Sequence, residues 1–401
     1  MLPLRVAISL VFAAAAYSLS FQEALDEGLA AHSLLQAADA KIRGAEGLRT
    51  QASLKPNPRL FLQSENSRVW SNPSFVYARD ADSFFYASQV VETGGKRTRR
   101  TEAAQAGVQR TAAERDALRW QIAARIGAAY WTAAGAARYR DAFQENLKNF
   151  DRTVQYHQDR VKEGAMAEVD FLRVQLEAER MRAAYRTAQQ EAVTARIRLF
   201  REMGIPDRPD TTFGDRLEQT TDVNAPLDIV KDRPDVAAAR AVSLATAANV
   251  QLQIANARPD PEILGGYKRT NGYDTLIAGV QINLPFRNRN QGNIAAAEAD
   301  VTAAGALERA TLRTARAEAE AALATYENRR TLVTVTLPAV RDRAVEIARI
   351  SNAAYREGGT DLLRLLDAER SRIDADLLYY RALTEFQIAA VELRSALGLL
   401  R

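Results

Sequence analysis

The sequence predicts a mainly α-helical chain in which long antiparallel helical hairpins, written twice, alternate with four short β-strands. Three observations carry that prediction. The run 290–356 is rich in alanine and holds one proline, Pro338. As a helix rising about 1.5 Å per residue it would reach roughly 100 Å, far beyond a usual globular helix. Within it Ala303, Ala306, Ala310, Ala317, Ala321 and Ala324 recur at steps of three, four or seven, a stripe on which a neighbouring backbone can lie close. Second, Glu357-Gly358-Gly359-Thr360 breaks the run and a further periodic stretch, 361–397, follows at once, so the chain must turn back on itself. Third, the same plan occurs earlier in the chain. Gly164 and Gly358 are 194 residues apart (358 less 164), as are Gly204 and Gly398, and at this offset Leu118, Leu172 and Leu199 meet Leu312, Leu366 and Leu393. Two unrelated helical segments would not keep both ends in register.

Taken in order, residues 1–18 read as a secretory signal, with Arg5 before an apolar run that closes on small residues, and cleavage is expected after Ala16 or Ser18. The first repeat, 19–206, opens with helical spacing over 21–52, where Leu25, Leu29, Leu34, Leu35, Ala38 and Ile42 mark one side. Pro56-Asn57-Pro58 ends it. Residues 59–69 alternate with a period of two and predict a strand; 70–81 read as a loop, and 82–92 as a second strand bearing Phe84, Phe85 and Tyr86. A long helix follows over 95–163, with Gly107, Gly127 and Gly135 as tolerated interruptions. Gly164 breaks it, and a return helix spans 168–203 before Gly204-Ile205-Pro206 stops the chain. The polar segment 207–226 is a linker. The second repeat, 227–401, then gives helix 227–257, strand 262–270, an Asn271-Gly272 hairpin turn, strand 274–284, long helix 290–356 and return helix 361–397.

Composition narrows the function. The 401 residues carry 54 basic against 50 acidic side chains, a formal charge of +4, with both signs interspersed along the helices. That is a solvated helical surface and not a nucleic-acid face. With no cysteine and only His32 and His157, disulfides, thiolate zinc sites and cysteine nucleophiles are excluded and a resident metal site or cofactor is not expected. Gly94-Gly95-Lys96 lacks the spacing of a phosphate loop. No constellation for catalysis is present. Four short strands cannot close a barrel alone, yet alternating segments of this length suit a membrane-spanning barrel to which several chains contribute. Tyr77, Phe84, Phe85, Tyr86, Tyr267 and Tyr273 lie where an interfacial aromatic girdle would. The rival from another class is a soluble periplasmic coiled-coil adaptor or spacer, which leaves the alternating segments unexplained.

The phrase Tyr355-Arg-Glu-Gly-Gly-Thr-Asp-Leu-Leu-Arg-Leu-Leu-Asp-Ala-Glu-Arg370, with Ser395-Ala-Leu-Gly398, resembles the C-terminal signature of TolC-like outer-membrane factors. Glu92-Thr-Gly-Gly-Lys-Arg97 is similar to the CzcC-like heavy-metal branch of that family, and Arg233-Pro-Asp-Val-Ala-Ala-Ala-Arg240 and Leu284-Pro-Phe-Arg-Asn-Arg289 also fit. The resemblance implies a homotrimer whose twelve strands form an outer-membrane β-barrel in contact with lipid and whose helices form a hollow α-barrel in the periplasm. It implies an exit duct working with a periplasmic adaptor and an inner-membrane RND-type pump, without nucleic acid, cofactor or enzymatic step, for heavy-metal cations or, alternatively, as a drug-efflux or type I secretion duct. By the same resemblance Asp170, Tyr355 and Asp367 occupy gate positions at the periplasmic tip. Arg364 stands where relatives often carry a second aspartate, spaced to pair with Asp367 along one helix face. The turn residues Gly164, Ala165, Met166, Gly358, Gly359 and Thr360 correspond to an adaptor-docking notch.

Overall fold

A computed structural model describes residues 18–68, 70, 74–219 and 222–400. Apart from Ser18, the signal segment lies outside the described residues, as do parts of the loop 70–81 and of the linker 207–226. In chain order the elements are β1 (Ser18–Leu19), α1 (Phe21–Ala31), α2 (Ser33–Ser53), β2 (Arg59–Glu65), a single turn α3 (Tyr77–Asp80), β3 (Asp82–Val90), α4 (Lys96–Lys162), α5 (Glu168–Met203) and β4 (Thr212–Phe213). A 3-10 turn (Leu227–Asp232), α6 (Pro234–Asn256), β5 (Pro261–Thr270), β6 (Tyr273–Ile282), α7 (Gln291–Thr331), a π-helical segment (Leu332–Thr336), α8 (Leu337–Arg356) and α9 (Leu362–Ala396) complete it.

Several boundaries differ from the sequence pattern, each for a local reason. The helix expected over 21–52 is two helices, because His32 adopts an extended conformation between them. The strand expected over 59–69 stops at Glu65, where Asn66 turns to a positive φ of 56°. The helix expected over 227–257 begins as a 3-10 turn, and α6 starts at Pro234, whose fixed φ and missing N–H suit a first helical position. The single run expected over 290–356 contains the π segment just ahead of Pro338. A proline inside a helix removes one backbone bond and crowds the preceding turn, and the wider π turn absorbs both.

The described chain divides into two units, each drawing on both repeats. One takes in residues up to Leu35, Leu118–Arg233 and those from Ala315 onward; the other holds Gln36–Ala117 and Pro234–Thr314. In the second unit β2, β3, β5 and β6 form one antiparallel sheet in the order β2-β3-β5-β6. Asn271 and Gly272, both at positive φ, make the tight turn between β5 and β6, with Thr270 opposite Tyr273. In the first unit Ile122, Ile126, Tyr130, Leu199, Phe200, Phe386 and Leu393 are fully buried.

Four helix ends in this unit share one cap. Gly164 at φ 71° and Gly358 at φ 76° end α4 and α8; the next N–H reaches back five residues, from Ala165 to the Arg160 carbonyl and from Gly359 to Ala354, both at 2.8 Å. Gly204 and Gly398 repeat the pattern through Ile205 and Leu399. A left-handed residue followed by this long backbone bond satisfies carbonyls that would otherwise be orphaned, and glycine adopts it without a Cβ clash.

Arg233 shows what its motif does. Only 2% exposed, it donates to the Ala315 and Ala396 carbonyls at 3.3 Å, pairs with Glu318 at 2.8 Å and stacks its guanidinium 4.9 Å from the Trp120 ring centre. One buried cation thereby ties the end of α9 to α7 and α4.

Candidate functional site

Two regions are built for something other than internal packing. The first is the sheet. Its register aligns Leu62, Phe85, Tyr267 and Leu276 across all four strands, and all are exposed, Leu62 at 74% and Leu276 at 90%. Side chains alternate along a strand, so Leu60, Ile263, Val280 and Ile282 extend the same apolar face. The opposite face carries Gln63, Ser88, Glu262, Lys268, Thr275 and Gln281. Strands of 9, 10 and 10 residues, with β2 at 7, suit a tilted crossing of a bilayer. Among the described residues neither β2 nor β6 has a partner on its outer edge, and unpaired backbone is tolerated in lipid only when a barrel closes.

The aromatic girdle read from the sequence divides between faces. Phe85 and Tyr267 are cross-strand partners on the apolar side, whereas Tyr86 stacks on Phe61 at 4.8 Å and Phe84 lies under Lys268 on the other. Strand alternation forces this split on consecutive residues. No described helix is long and apolar enough to cross a membrane.

The corner below the sheet explains the Glu92 to Arg97 phrase. Glu92 pairs with Arg100, Thr93 N donates to Asp260 Oδ1 at 2.8 Å, and Lys96 reaches Asp260 Oδ2 at 2.6 Å. A Cβ at Gly94 would lie 2.4 Å from Arg258 Cδ. The phrase therefore clasps the Pro259-Asp260-Pro261 corner of the other repeat. Asp260 is held below its ordinary value by Lys96 and Thr93, against the opposing pull of its burial.

The second region is the helical tip. The turns Gly164-Ala165-Met166 and Gly358-Gly359-Thr360 project with open space around Gly164 and Gly358. Beneath them Phe150, Val174, Ala178, Leu362 and Leu365 form a buried cluster, with Met166, Met181, Tyr355 and Leu366 packed against it. Tyr355 does not hydrogen-bond Asp170. Its ring stacks on His157 at 5.7 Å and 8°, and Asp170 pairs with Arg173 at 3.2 Å. Burial raises the Tyr355 phenol and Arg160 opposes it. The expected Arg364–Asp367 pair does not form either: both side chains are exposed and make no ion pair among the described residues. Asp361, also exposed, is instead the N-cap of α9, accepting from Arg364 N at 2.8 Å.

Sequence reasoning missed three features of this region. His157 is 1% exposed. Arg160 donates to the Ala165 carbonyl at 3.4 Å, across the first turn. Further along, Asp376 accepts from Arg341 at 2.5 Å and from Arg372 at 3.3 Å, while Arg372 also reaches Asn146 at 3.1 Å, linking α4, α8 and α9. The rarity of histidine was the one available signal. Within the single chain Ala303, Ala306, Ala317, Ala321 and Ala324 of the stripe are exposed, and the buried row on α7 is Ala297, Ala304, Ala315, Ala319 and Tyr326. Among the described residues no group of three or more His, Cys, Asp or Glu could hold a metal ion.

A two-faced sheet with open edges on a chain of paired long helices is the architecture expected of a subunit of an outer-membrane channel. The outer membrane efflux protein family model matches residues 24–204 and 226–399, and the chain belongs to that family. It is an outer-membrane efflux channel, a passive conduit and not an enzyme. No curated protein matches the sequence. Among solved structures it is similar to the outer-membrane channel OprN (22% identity, 94% of this chain and 89% of that one, TM-score 0.77). The open state of the Neisseria gonorrhoeae MtrE outer membrane channel matches at 22% identity, 95% and 90% coverage and TM-score 0.78. CusC matches at 18%, 94% and 92%, and 0.77. At these identities the likeness concerns the fold.

Proposed function

We propose that three copies assemble into an exit duct that carries heavy-metal cations from an inner-membrane RND-type pump and a periplasmic adaptor to the exterior. The observation that carries the assembly is the apolar row Leu62, Phe85, Tyr267 and Leu276 on a sheet whose two edges lack partners. Threefold association supplies those partners and closes twelve strands. The exposed alanine stripe of α7 would then receive a neighbouring helix. Asp170, Tyr355, Arg364 and Asp367 act as the tip gate, and Gly164, Ala165, Met166, Gly358, Gly359 and Thr360 as the adaptor-docking notch. Cargo rests on the resemblance of Glu92 to Arg97 to the metal-efflux branch.

Fractionation tests the assembly: the protein is expected in the outer membrane as a detergent-requiring trimer, and a freely soluble monomer would sink the proposal. For cargo, a deletion strain should become sensitive to zinc, cobalt, cadmium or copper; sensitivity to drugs alone would move it to the drug-efflux branch.

A further inference from the structure

His157 is the most deeply buried ionisable group at the tip, and the gate reading leaves it unused. Its ring lies flat against Tyr355, 5.7 Å between centres, so that α4 of the first repeat and α8 of the second meet through it. Among the described residues neither ring nitrogen has a hydrogen-bond partner. A buried neutral imidazole without partners survives only because the apolar contact outweighs its lost hydration, and a charged one would not.

The surroundings are set against a proton. On its own helix, Tyr156 touches it edge-on at 5.2 Å and Arg160 lies one turn further on. From α8 comes Tyr355. The tip cluster beside them is apolar, with Val174 and Ala178 from α5 and Leu362 and Leu365 from α9. Of the charged residues on those two helices at the tip, Asp170 pairs with Arg173 while its charge still acts on Tyr355, and Arg364 and Asp367 are exposed. Burial first and the Arg160 charge second hold the imidazole below its ordinary 6.5; the Thr153 carbonyl, outside bonding geometry, pulls weakly the other way.

We propose that His157 is a proton-operated release for the tip: neutral, it lets α4 and α8 close on each other through Tyr355, and protonated, it drives them apart until water reaches the ring. This deepens the gate reading and rests on it. In the parted state the ring is solvated and titrates at its ordinary value, so the open form binds more protons. Closure is therefore fully supported above about pH 6.5 and loses support as pH falls toward the lower value of the closed state. Each unit by which the closed value lies below the open one changes the ratio of open to closed by about tenfold.

The experiment is conductance of the full-length trimer in planar bilayers, taken from about pH 7.5 to about pH 5, a window in which histidine and not carboxylate titrates. We expect open probability to rise severalfold, and the rise to vanish in His157→Phe, which keeps a ring against Tyr355 but takes no proton. Arg160→Gln, which removes the repelling cation, should shrink the step and remains informative if the phenylalanine variant fails to form trimers. A flat wild-type profile, an undiminished step in His157→Phe, or an unchanged step in Arg160→Gln would each overturn the inference. Tyr355→Ala reports on the gate separately: it should raise conductance at pH 7.5, and its failure to do so would count against the gate rather than against the proton.

Discussion

The long helices of the two repeats touch the same return helix in opposite ways. Gly135 of α4 and Arg329 of α7 occupy matching positions, 194 residues apart (329 less 135). A Cβ at Gly135 would stand 2.1 Å from Thr384 Oγ1 and 2.8 Å from Thr384 Cβ on α9, so there the two backbones are nearly bare against each other. At the matching place Arg329 reaches out to the next residue of α9, Glu385, at 2.5 Å. Gly127 repeats the close approach two turns earlier, since a Cβ there would meet Val391 Cγ1 at 2.9 Å. Duplication supplied two equal helices. Divergence made α4 a close-packed wall against α9 at this place, where α7 reaches α9 through a long charged side chain and, one turn earlier, through Tyr326 on Phe386.

The same division runs down to the tip. α4 is unbroken through 138–142, whereas the matching 332–336 of the second repeat is the π segment before Pro338. Asp170 and Arg173 face Arg364 and Asp367 at the repeat offset with their signs exchanged, and only the first pair closes on itself. The second hairpin thus carries the π segment and, among the described residues, the tip charges that make no ion pair.

Removing the wall should have the largest effect. Gly135→Arg, which writes the second repeat's residue into the first, is expected to cost about 3 kcal/mol or more by overpacking against Thr384. The readout is loss of detergent-stable trimer and a lower melting temperature. Arg329→Gly, the reverse exchange, removes a partly exposed ion pair and adds a helical glycine, about 1 kcal/mol together. Equal losses in the two variants would show that α4 and α7 bear on α9 alike.

Next in size are effects on conduction. Tyr355→Ala removes the ring that bridges the hairpins and should raise single-channel conductance severalfold, whereas Tyr355→Phe keeps the stack and should change it little. A large effect of the phenylalanine variant would mean that the hydroxyl, not the stacked ring, holds the tip. If Asp367 sits at the proposed gate, Asp367→Asn should reduce cation preference in reversal-potential measurements by roughly twofold, because threefold assembly would repeat its exposed carboxylate around the pore. The corresponding change in the first repeat, Asp170→Asn, removes a charge already paired with Arg173 and should leave selectivity unaltered.

These contrasts also mark how far the sequence could be read. Glycines at 164, 204, 358 and 398 announce helix ends because a left-handed residue has few substitutes, and the strands announce themselves through alternation. Both signals are local. Gly127 and Gly135 read as tolerated interruptions, since nothing local distinguishes a harmless glycine from one that admits another helix. The alanines of α7 read as one packing stripe, while the chain itself buries a different row and leaves the expected one exposed. Tyr355 is legible as a tip residue, but its partner His157 lies 198 positions away (355 less 157), and only folding brings them together.

The smallest difference concerns how each return helix begins. α9 starts at Asp361, whose carboxylate accepts from Arg364 N, whereas α5 starts at Ala167, which has no side-chain cap. Such a cap is typically worth about 1 kcal/mol. Asp361→Ala should therefore lower the melting temperature of the trimer slightly and make the second tip turn more susceptible to proteolysis than the first. Ala167→Asp should do the opposite for the first turn. The capped α9 beside an uncapped α5 fixes the start of the return helix at the second turn more firmly than at the first. If Asp361→Ala leaves protease sensitivity of the second turn unchanged, the cap does not fix that start and the difference between the two turns must come from Thr360 and Met166 instead.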